Sequence, residues 1–544
     1  MVRAFYVGRG QEGSRGREGV ARTCKHPCTE RQVSRCDPGY GLLTPSTNRI
    51  RRDTVVTTTT SASAVRSFDQ LFIGGTWVDS TGTGRIDVIS PSTGQVIAQI
   101  PDATEADIDK AVAAAREAFN GPWRRTTPAE RGAALARLAD EIEKRIPEFA
   151  ETFAHEVGAP TPVGVGFHTL AVTMLRQFAT MHETTDFVEV RDEAGARVHI
   201  VREPVGVVGA IIPWNGPVAA ATWKIGPALA AGCTVVVKPA PEGPLTTLML
   251  AECIEAAGLP AGVINIVPGG REVGERLVTH PDVDKIAFTG STVAGKRIAS
   301  LCGERIARVT LELGGKSAAI IAEDIDPADV IPTLVPAGIG HTGQVCAAIT
   351  RILVPRSRHD EYVSAITAAM ESIVVGDPFD PSTALGPLAM ERQRARVEEY
   401  VEIGRQEGAT VAVGGSRPAG LEDGFYFEPT LFTDVTNDMR IAREEIFGPV
   451  ITMIDYDDID DAIAIANDSP YGLAGAVYSN DPAVATRVAS EVRTGQMYVN
   501  NAGMCVTQPF GGFKESGIGR EGGPEGLAGY LETKMINFGQ EATS

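Results

Sequence analysis

VGVVGAIIPWNGPVAAATWKIGPALAAGCTVVVKPA, residues 205–240, is the stretch that decides the fold class. Val205–Ile212 is strongly apolar but far short of the ~18 residues of a membrane span, and Gly206 and Gly209 interrupt it, so it reads as a buried strand. Pro217 then suits a first helical turn, a run of small and apolar residues follows to Ala231, and Gly232 is a helix stop. Cys233–Val237 repeats the apolar strand pattern. Strand, helix, strand is the repeating unit of a parallel sheet, because neighbouring parallel strands need a crossover between them.

The alternation continues downstream. Val263–Val267 and Asp284–Phe288 read as further strands, Leu245–Ala257 and Arg271–Thr279 as helices, and Gly258-Leu259-Pro260 as another stop. The fold class expected is α/β, with a parallel, doubly wound sheet covered on both faces. Upstream, Phe68–Asp79 suggests a short hairpin around Gly74-Gly75. Thr104 and Asp107 form a capping box ahead of Ile108, Val112, Ala115 and Phe119, and Thr127, Pro128 and Glu130 repeat the device. Phe187–Val190 and Arg197–Val201 alternate around a turn at Asp192–Gly195, which predicts a second hairpin; left exposed it invites pairing with another subunit.

At 544 residues the chain is too long for one core. Its 43% hydrophobic and 22% charged residues are those of a globular protein, and its net charge of −19 argues against nucleic-acid and anionic-membrane partners. Residues 1–66 differ from the rest: they hold twelve Lys and Arg against five Asp and Glu, so the remainder carries −26. This segment lacks hydrophobic periodicity and reads as a disordered extension. It is Arg-rich like a transit peptide, but Pro27 and Pro38 interrupt a long amphipathic helix, and a misplaced translation start explains it equally well. It has no apolar signal core, so a cytoplasmic location is expected. Eight scattered cysteines do not make a disulfide framework, and Cys24, Cys28 and Cys36 with His26 fit no common zinc spacing, so no metal is expected.

Four segments carry candidate chemistry. In Gly343-Gln344-Val345-Cys346 the cysteine is either a core filler or a nucleophile. In Leu311-Glu312-Leu313-Gly314-Gly315-Lys316 the glutamate at a strand end is either a solvated or paired structural residue or a base of raised pKa. Phe288-Thr289-Gly290-Ser291 with Gly295 is either a generic strand–helix turn or a phosphate site, with Lys238 at the carboxyl end of another strand. Asn215, after Pro213-Trp214, either caps the next helix or donates to an oxyanion.

Their order along the chain is the stronger signal. From Phe68 to the C-terminus the sequence resembles the aldehyde dehydrogenase superfamily, through IIPWN (211–215), VVKPA (236–240), FTGST (288–292), LELGGK (311–316), GQVC (343–346), EEIFGPV (444–450) and PFGGFKESGIGRE (509–521). The resemblance implies an NAD(P)-dependent enzyme of the hydrolytic type that oxidises an aldehyde to a carboxylic acid. Cys346 is then the nucleophile, Asn215 the oxyanion donor and Glu312 the general base. It places Lys238 and Glu242 at the adenosine ribose and Gly290, Ser291 and Gly295 at the pyrophosphate. Glu445 and Phe447 fall at the nicotinamide side, with Ile211, Trp214, Gly270, Gly274, Phe288 and Leu313 completing the cofactor cleft.

The resemblance also implies three parts: a dinucleotide-binding domain (67–186 and 204–314), a catalytic domain (315–508) and an oligomerisation flap (187–203 and 529–541). A homodimer or homotetramer follows. Pro241 stands where many NAD-preferring members carry an acid, and Glu242 follows it, so NAD is the cofactor expected and NADP the alternative. Gly216 and Gly340 replace aromatics of the substrate tunnel in several members. With Trp223, Val345, Met504 and Phe510 as walls, they imply a roomy tunnel for a bulky apolar aldehyde. Glu312 argues against a CoA-acylating enzyme, and the presence of Cys346, Glu312 and Asn215 against an inactive structural member. A thiol hydrolase using His341 would explain neither the sheet nor the phosphate turn.

Overall fold

The computed structural model describes residues 65–193, 196–501 and 503–538. The expectations for residues 1–64, among them the cysteine cluster and the disordered extension, lie outside the described residues, as do the hairpin's Ala194-Gly195 and residues 539–541 of the flap. The described residues include Val65 and Arg66, ahead of Phe68. Val65 packs against the core, and Arg66 is held by Glu252 at 2.5 Å and by Glu148.

The first sheet has eight strands. Its centre is five parallel strands in the order β11 (Arg308–Glu312), β10 (Lys285–Thr289), β7 (Val207–Ile211), β8 (Thr234–Lys238) and β9 (Ile264–Ile266). The hairpin β1 (Leu71–Ile73) and β2 (Thr76–Val78) closes one edge, and β19 (Gly517–Ile518) pairs antiparallel at the other. Every residue of β7 and β8 is buried, as strands covered on both faces require.

Alternate side chains of these strands enter two different cores. Val208, Ala210, Val235 and Val237 face one set of helices: α2 (Pro128–Glu143), α3 (Ile146–Val157), α4 (Thr161–Thr180), α5 (Pro217–Ala231) and α6 (Leu245–Ala256). Val207, Ile211, Val236, Ile286 and Phe288 face α1 (Glu105–Asn120), α7 (Arg271–Thr279) and α8 (Thr292–Glu304). Both capping boxes form as the sequence indicates, Thr104 with Asp107 and Thr127 with Glu130.

The second sheet, of seven strands, runs in the order β14 (Thr410–Val413), β15 (Thr430–Thr433), β16 (Val450–Tyr456), β13 (Ile349–Pro355), β12 (Ser317–Ile321), β17 (Ala474–Tyr478) and β18 (Gln496–Val499), parallel except at β14. Four residues separate the end of β11 in the first sheet from the start of β12 in the second, and Glu312 closes β11. It therefore stands at the passage between the sheets. The helix α9 (Pro327–Ile339) leads into the turn carrying Cys346 from the second-sheet side.

A three-stranded antiparallel sheet joins β5 (Val188–Glu193), β6 (Ala196–Pro204) and β20 (Leu531–Asn537), and β3 (Arg85–Ile89) with β4 (Val96–Pro101) forms a separate ribbon. Among the described residues no helix is long and apolar enough to cross a membrane.

Candidate active site

The chain runs from β7 through β8 to β9 on one side and places β10 and β11 on the other, so the order reverses between β7 and β10. In open parallel sheets a crevice opens at such a point beyond the carboxyl ends of the strands. The register lines up the residues there. Ile211 is paired with Lys238 on one side and Phe288 on the other, Phe288 with Leu311, and Thr289 with Glu312.

On the β8 side, Lys238 is buried and donates from Nζ to the carbonyls of Pro239 (2.8 Å) and Gly269 (2.5 Å). Burial pulls its ammonium down to about 8. Its aliphatic stem runs beside Gly274, where a Cβ would lie 3.5 Å from Cδ of the lysine. Gly270, at the N-terminus of α7, has nothing within 4 Å of an added Cβ. On the β10 side, Ser291 caps α8 by accepting from the Ala294 N–H. Gly295 is required by packing, because a Cβ there would lie 2.4 Å from Cδ2 of Leu313. Val293 in the first turn of α8 is 81% exposed. A helix N-terminus, a lysine, glycines that admit close approach and an exposed apolar side chain suit a dinucleotide.

Glu445 and Phe447 lie at the other end. The Glu445 carboxylate accepts from the Gly315 N–H at 3.1 Å, and burial pushes it up to about 7. Phe447, in the left-handed region at φ 62°, meets Trp214 edge-on with ring centres 5.5 Å apart.

Cys346 and Asn215 are brought together by a strained turn. His341, Thr342 and Gly343 are all left-handed, at φ 51°, 56° and 68°. Only glycine fits the third position, since a Cβ would lie 1.9 Å from the Gly448 carbonyl oxygen. Beyond the turn, the Gln344 carbonyl accepts from Asn215 Nδ2 at 2.8 Å, and Gln344 Oε1 accepts from the Ala389 N–H at 2.9 Å. Asn215 caps no helix: α5 starts after Gly216 without a side-chain cap. Burial, with the Glu445 and Glu312 carboxylates adding to it, pushes the Cys346 thiol up to about 12.

Glu312 is buried, and neither carboxylate oxygen has a hydrogen-bond partner among the described residues. Burial and the nearby Glu521 carboxylate raise its pKa well above the ordinary range, while Lys224 and Arg520 oppose them. Lys224 and Glu521 form an ion pair of 2.6 Å, both fully buried, and Lys224 also donates to Thr289 Oγ1 at 2.6 Å. The sequence reading missed this pair. A lysine within the almost wholly buried α5 was the available signal, because charged residues are rarely buried unless paired.

One expectation is corrected. Gly216 does not open the tunnel: the Phe167 ring on α4 fills that space, and a Cβ at Gly216 would lie 2.8 Å from its Cε1. No motif in the sequence singled out Phe167. Glu242 is paired with the exposed Arg392 at 2.5 Å. By contrast, Gly340 has nothing within 4 Å of an added Cβ, and Trp223 stacks on Phe510 at 4.8 Å. Val345 is partly buried and Met504 lies in the loop after β18. His341 does not serve Cys346: its Nε2 points to the Asn215 backbone carbonyl at 2.9 Å.

Comparison with known proteins agrees with this geometry. The sequence model of the aldehyde dehydrogenase family matches residues 77–536. The chain is 45% identical to geranial dehydrogenase of Castellaniella defragrans over 469 residues, covering 86% of this chain and 98% of that protein. Among solved structures, the fold superposes on a Mycobacterium tuberculosis aldehyde dehydrogenase complexed with NAD+ (TM-score 0.86, 46% identity, 89% and 100% of the two chains). It also superposes on a mutant of aldehyde dehydrogenase C from Pseudomonas syringae complexed with NAD+ and octanal (TM-score 0.84, 42% identity, 88% and 98%).

Proposed function

The chain belongs to the aldehyde dehydrogenase family and is an NAD(P)-dependent enzyme oxidising aldehydes to acids; on that premise we propose that Cys346, Asn215 and Glu312 carry the reaction on a bulky apolar aldehyde. One observation supports the assignment most. The turn 341–346 ties the Asn215 carboxamide to the Gln344 carbonyl, two residues from Cys346, and Glu312, buried with two unpartnered oxygens, is near enough to act electrostatically on the same thiol.

The Cys346 thiol gives its proton to solvent and Sγ bonds to the aldehyde carbon, the carbonyl π pair moving to the oxygen, which gains negative charge. Asn215 Nδ2 and the Cys346 backbone N–H stabilise that charge. When bound, the nicotinamide would supply the hydride acceptor, and Cys346 would then carry the acyl group as a thioester. Glu312 then takes a proton from a water whose oxygen attacks the thioester carbon; the C–S bond breaks, the acid is released and the Cys346 sulfur is regenerated on the enzyme. Lys238, the α8 N-terminus, Gly270, Gly295, Glu445 and Phe447 would hold the cofactor. NAD is the form we propose: Glu242 remains at the strand end, although Arg392 tempers its repulsion of a 2′-phosphate.

For the substrate, the open space at Gly340 and the Trp223–Phe510 stack support a large apolar chain. The names of the relatives, geranial dehydrogenase and an octanal complex, point the same way. Initial rates with NAD and NADP, without CoA, across aldehydes from acetaldehyde to terpenoid and aryl ones test this. Burial of about 0.8 kcal/mol per methylene predicts kcat/KM rising roughly fourfold per added carbon until the tunnel is filled. Acetaldehyde as the best substrate would refute the tunnel, and turnover only with CoA would favour the acylating reading.

We also propose the division into a dinucleotide-binding domain (67–186, 204–314), a catalytic domain (315–508) and a flap (187–203, 529–541). Val188, Val190 and Met535 of the flap sheet are exposed apolar side chains, which supports self-association through it. Sedimentation at micromolar concentration is expected to give a dimer or tetramer; a monomer overturns this.

A further inference from the structure

Asn215 sits in the short loop between β7 and α5. Its carbonyl takes no part in the helix, because the α5 ladder starts with Ala220 N–H donating to the Gly216 carbonyl. The group that meets it instead comes from 126 residues away: His341 Nε2, at 2.9 Å. A carbonyl only accepts, so Nε2 carries the proton. Burial drives the imidazole down to about 4, so the donor is neutral and the contact geometric rather than ionic.

The ring has little freedom. It lies 5.6 Å from Phe153 and 5.3 Å from Phe167, centre to centre, and Phe167 in turn covers Gly216, the residue after Asn215. His341 itself is held in the left-handed region at φ 51°, a conformation that side-chain-bearing residues keep only where their surroundings enforce it. One turn thus grips Asn215 twice, His341 on the backbone carbonyl and Gln344 on the carboxamide, and the same turn delivers Cys346 two residues later.

We propose that His341 is a positioning residue for the reaction, fixing through the Asn215 carbonyl the peptide from which the oxyanion-binding carboxamide projects. This rests on the reading of Asn215 as the oxyanion donor. The role needs an N–H at one point in space and no charge. Glutamine, whose amide nitrogen is the same number of bonds from Cα, replaces it; phenylalanine fills the space without donating.

The test is the single-turnover rate of hydride transfer with saturating NAD and octanal, in H341F, H341Q, N215A and the double variant H341F/N215A. Loss of an oxyanion donor in N215A is expected to cost roughly 10²–10³-fold. H341F is expected to lose roughly tenfold through misplacement of that donor. H341Q should stay within about threefold of the parent, and H341F should add nothing further in the N215A background. A merely structural role would instead slow H341Q and H341F alike, or carry the H341F loss undiminished into the N215A background; either result overturns the proposal. Should H341F not fold, H341L against H341Q makes the same comparison. A wild-type rate in N215A would overturn the oxyanion reading and this inference with it, whereas a crippled N215A with additive H341F overturns this inference alone.

Discussion

Cys346→Ala is expected to lower NADH formation from any aldehyde by about 10⁴-fold or more while leaving cofactor binding intact. The loss is this large because no other group supplies the same step. Of the other described cysteines, Cys233, Cys253 and Cys302 are buried in the helix-packed cores, and Cys505 is exposed on the loop after β18. Thioester chemistry also needs the thiol itself, since an oxygen nucleophile in its place is a far poorer leaving group. Burial, with the Glu445 and Glu312 carboxylates adding to it, raises the Cys346 thiol pKa, so its attack is expected to gain as pH rises. Rates of hydride formation in wild type and C346A, with NAD affinity measured by fluorescence, check this. Activity above about one per cent in the variant would remove Cys346 from the nucleophile's role.

Glu312→Gln is expected to separate the two halves of the reaction. Hydride transfer should still occur once per site, as a burst, and steady-state turnover should then fall roughly 10²–10⁴-fold, because the thioester waits for an unassisted water. The pH dependence follows from the direction of the Glu312 shift. Its pKa is raised in the folded enzyme, so the basic form grows in as pH rises through that raised value, and deacylation rises with it. Glu521 contributes to the elevation and Lys224 opposes it. Removing the Glu521 charge therefore lowers the Glu312 pKa, and Glu521→Gln should move the acid limb of kcat towards lower pH. A burst-free E312Q, or an acid limb moving upward in E521Q, would contradict these roles.

Much of the architecture was legible in the linear pattern. Strands and helices declare themselves through spacing: Val207 and Val208 alternate between two cores because side chains on a strand point to opposite faces. Thr104 with Asp107 and Thr127 with Glu130 announced helix starts through bonds spanning three residues, and both boxes form. The strand-end positions of Lys238, Phe288 and Glu312 followed from the same reading, and register then placed them side by side.

What the sequence determined by itself, then, is the order of elements, their buried faces, the family and the kind of residue available at each strand end. All of these depend on periodicity and on motifs a few residues long. Only the tertiary structure decided that Phe167 fills the space beside Gly216, that Arg392 holds Glu242, that Lys224 finds Glu521 and that His341 reaches the Asn215 carbonyl. Each of those contacts joins positions tens to hundreds of residues apart. Such a meeting depends on how whole helices and turns pack, because an interior filled at crystal density leaves each void to whichever side chain the surrounding elements aim into it.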